Sequence, residues 1–155
     1  MANTYSQIYI QIVFAVKNRD ALISSSWEED LYKYITGIVS NKKQKLLAIN
    51  GTSDHIHFLI GMKPNCCLSD LVREVKKSSN EFVRDKKLTR FNFNWQEGFG
   101  AFSYSHSQLS NVIGYIRNQK EHHKTKSFKE EYVAFLNAYH IDFKNDFVFD
   151  WIISE

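Results

Sequence analysis

Cysteine, proline and net charge are all scarce in this chain of 155 residues. The two cysteines, Cys66 and Cys67, are adjacent, which excludes a disulfide framework and a Cys-x-x-Cys metal site. We expect both to be reduced thiols, as in a cytoplasmic protein. The net charge is only +3, so a surface that binds nucleic acid would have to come from local clusters of basic residues.

Long hydrophobic runs are also missing, and no segment approaches the length of a membrane span. The N-terminus lacks a basic region, and Gln7 and Gln11 interrupt its apolar residues, so we expect no signal peptide and no membrane partner. What is present is typical of a folded globular protein, with 43% apolar and 15% aromatic residues. The uniform composition predicts one domain over residues 1–155.

The apolar pattern predicts an α+β fold. Residues 5–16 alternate as a half-buried strand, and Asn50-Gly51 is a turn between two further strands, residues 45–50 and 53–61. Residues 99–106 predict a fourth strand. Apolar residues recur at helical spacing in three segments, at about 27–43, from Leu68 to Val83 and at 108–122, and each segment predicts a helix. This β-α-β-β-α-β order predicts a ferredoxin-like antiparallel sheet, with a core at about 5–106, a helix at about 108–123 and a tail at about 124–155.

The third predicted strand carries two histidines, in the sequence Ser-Asp-His-Ile-His-Phe-Leu-Ile-Gly at 53–61. Side chains alternate along a strand, so His55 and His57 share one face while Ile56 and Phe58 lie on the other. Two protonated imidazoles would repel each other, which favours the neutral form that binds metals. The pattern alone leaves two interpretations open, a metal site or two histidines that are hydrogen-bonded within the sheet.

The third predicted helix has two stripes. Its apolar stripe faces a core and consists of Leu109, Val112, Ile113 and Ile116. A second stripe contains Tyr115, Gln119 and His122. By itself, a tyrosine one turn before a glutamine is also typical of a boundary between core and solvent.

The His-x-His strand and the Tyr-x-x-x-Gln helix together resemble the tyrosine HUH single-strand transposases of insertion sequences, the insertion-sequence two-hundred-like family. The resemblance runs from about Tyr5 to the mid-140s. It includes the segment 54–57, the Trp-Gln-Glu-Gly-Phe-Gly approach at 95–100 and the segment 115–119 with the Glu-His-His that follows it. It implies that His55, His57 and Gln119 hold a divalent metal and that Tyr115 is the nucleophile.

The resemblance further implies that the protein cuts and rejoins single-stranded DNA at insertion-sequence ends through a 5′-phosphotyrosine. The covalent link conserves the bond energy, so no nucleotide cofactor is expected. Residue types alone favour zinc or manganese, whereas the resemblance implies Mg²⁺ or Mn²⁺. The sequence does not identify the group that accepts the Tyr115 proton, and the roles of His122 and His123 stay open.

Two clusters of basic residues are predicted to bind DNA. The first lies on the second helix and contains Arg73, Lys76, Lys77 and Arg84, and the second follows the nucleophile and contains Arg117 and Lys120. Solvated helix faces are the alternative interpretation. The resemblance implies that the protein binds single-stranded DNA hairpins and forms a homodimer. We expect the two subunits of this dimer to share their active sites. The DNA sequence that is recognised cannot be predicted.

Other functions remain open at this point. A noncatalytic module like an RNA-recognition domain would use the same sheet without needing Tyr115 or a metal. A metal-dependent hydrolase would use activated water and leave no covalent adduct. A domesticated transposase associated with repetitive palindromes is the nearest alternative within the resemblance.

Overall fold

The computed structural model describes residues 3–17, 22–124 and 127–139. Four strands and five helices follow one another along these residues. In chain order they are β1 (Tyr9–Ala15), α1 (Glu28–Asn41), β2 (Lys45–Gly51), β3 (His55–Gly61), α2 (Leu68–Asp85), β4 (Gly100–Tyr104), α3 (Leu109–Arg117), α4 (Gln119–His122) and α5 (Phe128–Ala138). A short 3₁₀ turn, His106–Gln108, leads into α3.

The four strands form one antiparallel sheet in the order β2-β3-β1-β4, which confirms the predicted ferredoxin-like fold. The predicted hairpin between β2 and β3 is present. It needs glycine at its end, because a Cβ on Gly51 would lie 2.2 Å from the carbonyl oxygen of His55. In the centre of the sheet, β1 pairs with β3 so that Ala15 lies opposite His55 and Val13 opposite His57.

The sheet is covered on both faces. On the first face, Phe14, Ile56 and Phe58 pack with buried residues of α1 and α2. On the second face, strand residues such as Val13 and Leu59 pack under α3 and α5. Because side chains alternate along a strand, the histidines of β3 lie on this second face.

One feature differs in detail from the predicted C-terminal half. The helix expected at 108–122 is interrupted at Asn118, whose φ of −98° and ψ of 16° depart from helical values. Part of the predicted tail is helix α5, which packs Phe128 and Leu136 against Phe102 of β4. Residues 125–126 and 140–155 of that tail lie outside the described residues. None of the described helices is both long and apolar enough to cross a membrane.

Candidate active site

The two histidines of β3 lie side by side on the second face of the sheet. Both are fully buried, and their ring centroids are 5.2 Å apart. Ile56, between them, points into the opposite core, as the alternation predicts. The strand therefore presents two imidazoles to the helices that cover this face.

Helices α3 and α4 bring the predicted tyrosine and glutamine to these histidines. Val112 and Ile116 pack in one cluster with Leu59, which fixes α3 against the sheet. The Tyr115 ring then lies 6.0 Å from the His57 ring, and Gln119 Oε1 lies 3.2 Å from His55 Nε2. All four predicted site residues thus meet within one chain.

A fifth residue, Glu131 of α5, joins these four and was not predicted from the sequence. Its Oε1 lies 2.8 Å from His57 Nε2 and 3.6 Å from His55 Nε2. Its Oε2 accepts a short hydrogen bond from the Tyr115 hydroxyl and another, of 3.2 Å, from Gln119 Nε2. Glu131 is 3% exposed and stands in the first turn of α5, where the helix dipole favours a carboxylate.

The sequence does contain a signal for Glu131. It lies three residues after Phe128 and four before Phe135, so it shares their face of α5. An acidic residue between two aromatic residues on an apolar helix face is unusual, because buried carboxylates need partners. That pattern indicates a carboxylate directed into a core, although it does not say which residues receive it.

Each histidine of β3 has a further partner on its second nitrogen. His55 Nδ1 lies 2.6 Å from Asp54 Oδ1, which also accepts a hydrogen bond from the Thr52 hydroxyl. His57 Nδ1 lies 2.8 Å from the Gln11 side chain, whose oxygen accepts a hydrogen bond from Tyr104. Such outer partners fix the orientation of a ring, so that Nε2 of each histidine points towards Glu131.

The two histidines after the predicted ligand Gln119 have different positions. The His122 ring lies 4.5 Å from the Tyr115 ring. The His123 ring lies 4.5 Å from the His55 ring, and its Nε2 is 3.2 Å from Glu131 Oε1. That nitrogen is buried and has no hydrogen bond of acceptable geometry within the described residues. His123 is therefore part of the site.

The surroundings shift the pKa values of both β3 histidines. Burial lowers the pKa of His57 to about 4, so His57 is neutral at pH 7. Burial acts on His55 in the same direction, but the carboxylates of Asp54 and Glu131 outweigh it and raise the pKa of His55. The neutral form of His57 is the one that can bind a metal.

The pKa values of Tyr115 and Glu131 are shifted in opposite directions. Burial, followed by the hydrogen bond to Glu131, raises the pKa of Tyr115 well above its ordinary value. Burial alone would raise the pKa of Glu131, but the imidazoles of His123, His55 and His57 hold it well below its usual range. The site thus contains a protonated phenol beside an ionised carboxylate.

The donor atoms of the site fit a divalent cation. One ligand atom from each of His55, His57 and Glu131 lies within 4.8 Å of the other two. Imidazole nitrogens and carboxylate oxygens are common ligands of divalent metals in proteins. Nε2 of His123, 3.2 Å from Glu131 Oε1, is a further nitrogen donor at the same place.

The structure does not bring the basic residues of α2 to this site, because α2 packs on the first face of the sheet. The Lys76 ammonium donates hydrogen bonds to the carbonyls of Gln96 and Gly98, at 2.7 and 2.6 Å. The other three residues of α2 that were predicted to bind DNA, Arg73, Lys77 and Arg84, are exposed. Arg84 donates a hydrogen bond to the carbonyl of Phe93, and Arg73 forms an ion pair with Asp70.

Two of the predicted basic residues, Arg117 and Lys120, follow Tyr115 closely in the chain. Lys120 Nζ lies 2.9 Å from Asn50 Oδ1 and 3.2 Å from Glu28 Oε1, and its side chain is about half exposed. The Arg117 side chain is exposed, and its carbonyl accepts a hydrogen bond from Asn50. Both residues belong to the segment that places Tyr115 and Gln119.

A cleft of about 320 Å³ leads to Tyr115. Its walls include polar and aromatic side chains, namely Gln11, Tyr104, Gln108, Asn111, Tyr115, Phe135 and Tyr139. A larger cleft, of about 390 Å³, lies at the far end of the β2–β3 hairpin beside Lys42 and Lys63. The smaller cleft is the one that reaches Tyr115.

Comparison with known proteins agrees with the predicted class. The family described as "Transposase IS200 like" matches residues 4–119, a range that contains both β3 histidines, Tyr115 and Gln119. The protein is therefore a DNA transposase, an enzyme that cuts DNA. The chain belongs to the family of IS200-like transposases.

Solved structures show that the fold is shared with other transposases. A crystal structure described as a transposase of Deinococcus radiodurans has a TM-score of 0.60 and 19% identity, over 77% of this chain and 95% of that one. The structure of a REP-associated tyrosine transposase bound to a REP hairpin has a TM-score of 0.56 and 17% identity, over 76% of this chain and 70% of that one. No curated protein sequence matches the chain.

Proposed function

We propose that this transposase cuts and rejoins single-stranded DNA at insertion-sequence ends, with Tyr115 as the nucleophile and a divalent ion held by His55, His57 and Gln119. The observation that carries the proposal is the convergence of these four side chains, which come from one strand and two helices, at a single buried point. Family membership supplies the reaction class, and the geometry supports the assignment of each role.

The metal site would use Nε2 of both histidines and the carboxamide oxygen of Gln119. A bound Mg²⁺ or Mn²⁺ would stabilise the charge on the scissile phosphate and orient it. Asp54, through His55, and Gln11, through His57, hold the two imidazoles in place for this task. No nucleotide cofactor is needed, because the phosphotyrosine conserves the energy of the broken bond.

Glu131 is in position to handle the proton of the nucleophile. In the attack, the Tyr115 oxygen bonds to phosphorus, the bond from phosphorus to the 3′ oxygen breaks, and the departing oxygen takes a proton to become a 3′-hydroxyl. The phenol proton becomes acidic as the new bond forms, and Glu131 Oε2 already accepts it in a hydrogen bond. In the reverse step, a 3′-hydroxyl attacks the phosphotyrosine and Tyr115 regains the proton.

The cleft beside Tyr115 supports a path for single-stranded DNA. Its aromatic side chains can stack on bases, and its amide side chains can bind base edges. We propose that Lys120 and the exposed Arg117, which follow Tyr115 closely in the chain, bind backbone phosphates of the DNA. We propose hairpins at the element ends as substrates, since the REP-associated relative is described as bound to a hairpin. Arg73 and Lys77, on the other face, would contact DNA away from the cut.

The working unit is proposed to be a homodimer in the cytoplasm. Two strand ends must be cut and exchanged, and one tyrosine holds one end at a time. The described chain assembles a site from its own residues, so sharing between subunits requires the Tyr115 segment to leave its own histidines. Both cysteines are free thiols, in keeping with a reducing compartment.

The proposal is tested by incubating the full-length protein with single-stranded DNA from each flank of its gene, with Mg²⁺, with Mn²⁺ or with a chelator. We expect a covalent protein–DNA adduct on a denaturing gel for one strand only, and only with metal. Cut DNA without an adduct would indicate a hydrolase, and binding without cutting would indicate a noncatalytic module. A substrate preference for dispersed palindromes over element ends would favour a domesticated transposase.

A further inference from the structure

Three imidazole nitrogens surround one oxygen of Glu131. The Nε2 atoms of His57, His123 and His55 lie 2.8, 3.2 and 3.6 Å from Glu131 Oε1. His123 is 10% exposed, and its Nε2 makes no hydrogen bond of acceptable geometry within the described residues. Its nearest polar neighbour is the Glu131 carboxylate, so His123 and both β3 histidines direct Nε2 at one point.

His123 also continues the helical spacing of the predicted site residues. Tyr115, Gln119 and His123 follow one another at intervals of four, which places them on one side of the α3–α4 segment. The backbone N–H of His123 donates to the carbonyl of Gln119 at 3.1 Å, so one helical turn fixes the two residues relative to each other. Residues spaced by four on a helix are a common way to present two ligands to one metal ion.

We infer that His123 and Glu131 complete the metal site, so that three imidazoles, one carboxylate and the Gln119 carboxamide hold a transition-metal dication such as Mn²⁺ in preference to Mg²⁺. This inference rests on the proposed function, because it concerns the ion at the same site. It adds two donors beyond His55, His57 and Gln119, and both come from the chain after the nucleophile.

The ligand chemistry explains the preference. Mg²⁺ is a hard ion that binds oxygen ligands and keeps most of its water, whereas imidazole suits first-row transition metals. With two imidazoles, most coordination positions of the ion are left to oxygen ligands. With a third imidazole, three of the five side-chain ligands are nitrogen. Glu131 contributes a charge that partly offsets the charge of the ion, and it does so through Oε1 while Oε2 stays with Tyr115.

The first test measures metal affinity by calorimetry on the metal-free full-length protein. We expect Mn²⁺ to bind at least about tenfold more tightly than Mg²⁺. His123→Ala should weaken Mn²⁺ binding by about tenfold or more, since even outer partners change metal affinity by about 10–100-fold. His106→Ala, which removes an exposed histidine outside the site, should leave it unchanged. Equal affinity for Mn²⁺ in His123→Ala and the parent protein would overturn the inference.

A second test counts the imidazole ligands of the bound metal, and its decisive measurement is made on the parent protein. Each histidine bound to Co²⁺ shows one exchangeable, strongly shifted N–H resonance in the proton NMR spectrum. We expect three such resonances in the parent protein and two in His123→Ala, whereas two in the parent protein would reject His123 as a ligand. This count does not depend on whether a variant folds well.

The carboxylate is tested with Glu131→Gln against Glu130→Gln, its exposed neighbour in α5. We expect weaker Mn²⁺ binding only in Glu131→Gln, and tighter binding there would show that Glu131 obstructs the metal.

His57→Ala separates this inference from the proposed function. If His57→Ala loses the metal and His123→Ala does not, only the further inference fails. If the parent protein binds no metal, the metal-assisted proposal fails as well.

Discussion

The Tyr115 hydroxyl donates a hydrogen bond to Glu131, a residue sixteen positions later in the chain. The same carboxylate lies 2.8 Å from His57 Nε2, so one side chain connects the proposed nucleophile with a proposed metal ligand. Burial and this hydrogen bond raise the pKa of Tyr115, which keeps its oxygen protonated and oriented in the protein without DNA.

Tyr115→Phe should bind DNA as well as the parent protein and form no covalent adduct. The substitution removes only the hydroxyl, and the ring keeps its contacts with His57 and Phe135. Gel-shift and denaturing-gel assays measure the two properties separately. Tyr34→Phe, on α1, is the control and should form the adduct normally. Persistent cleavage by Tyr115→Phe would reject this residue as the nucleophile.

His57 should make the metal-free protein less stable as the pH falls from 6.5 to about 4. Burial lowers the pKa of His57 to about 4 in the folded state, whereas the unfolded chain takes up the proton near pH 6.5. The unfolded state therefore binds more protons in this interval, and stability decreases by up to roughly 1 kcal/mol per pH unit. The difference in stability between His57→Gln and the parent protein, measured by urea unfolding in a chelator, should shift in favour of the variant as the pH falls. Parallel pH profiles would contradict this assignment.

Mixed subunits should show whether active sites are shared. Tyr115→Phe lacks the nucleophile and His57→Ala lacks a metal ligand, so each is expected to be inactive alone. If the tyrosine of one subunit serves the histidines of the other, a heterodimer contains one intact site and adduct formation returns. Co-expression with two different affinity tags isolates the heterodimer for this measurement. An inactive heterodimer would instead support the arrangement within one chain that the structure describes.

Replacing Arg73 and Lys77 by alanine should weaken DNA binding equally for all sequences. Both side chains are exposed on α2, away from the histidines, so they are expected to contact phosphates and not bases. Each lost phosphate contact should reduce the slope of log affinity against log salt by about 0.7 for single-stranded DNA. Lys33→Ala on α1 provides a control for a general loss of positive charge. An unchanged slope would mean that this face is merely solvated.

Much of the fold and the motif residues could be predicted because they depend on local patterns. The alternation around His55 and His57 determines which face they occupy, and the Asn50-Gly51 turn determines how β2 returns as β3. The spacing of Val112 and Ile116 indicates which side of α3 is buried. These patterns were sufficient to predict the ferredoxin-like fold, whereas the grouping of Tyr115 with the histidines was implied by the family resemblance.

Glu131 and His123 could not be assigned in the same way, because their environment comes from long-range packing. Glu131 is 74 positions from His57, and its approach depends on α5 packing against Phe102. Until that packing is known, an acidic residue in a helix is most often a solvated one. The interruption at Asn118 was also missed, since the apolar stripe of the helix continues towards it without a change of period.

The family match ends at Gln119, before α5 begins. A chain that stopped there would keep every residue of the His-x-His and Tyr-x-x-x-Gln motifs. It would nevertheless lose the side chain that contacts Tyr115, Gln119 and His57, and it would expose Val13 and Phe102 to water. Under the proposed mechanism, a complete motif is therefore not a sufficient criterion for an intact enzyme, and shortened copies of such a gene should be judged by whether they retain α5.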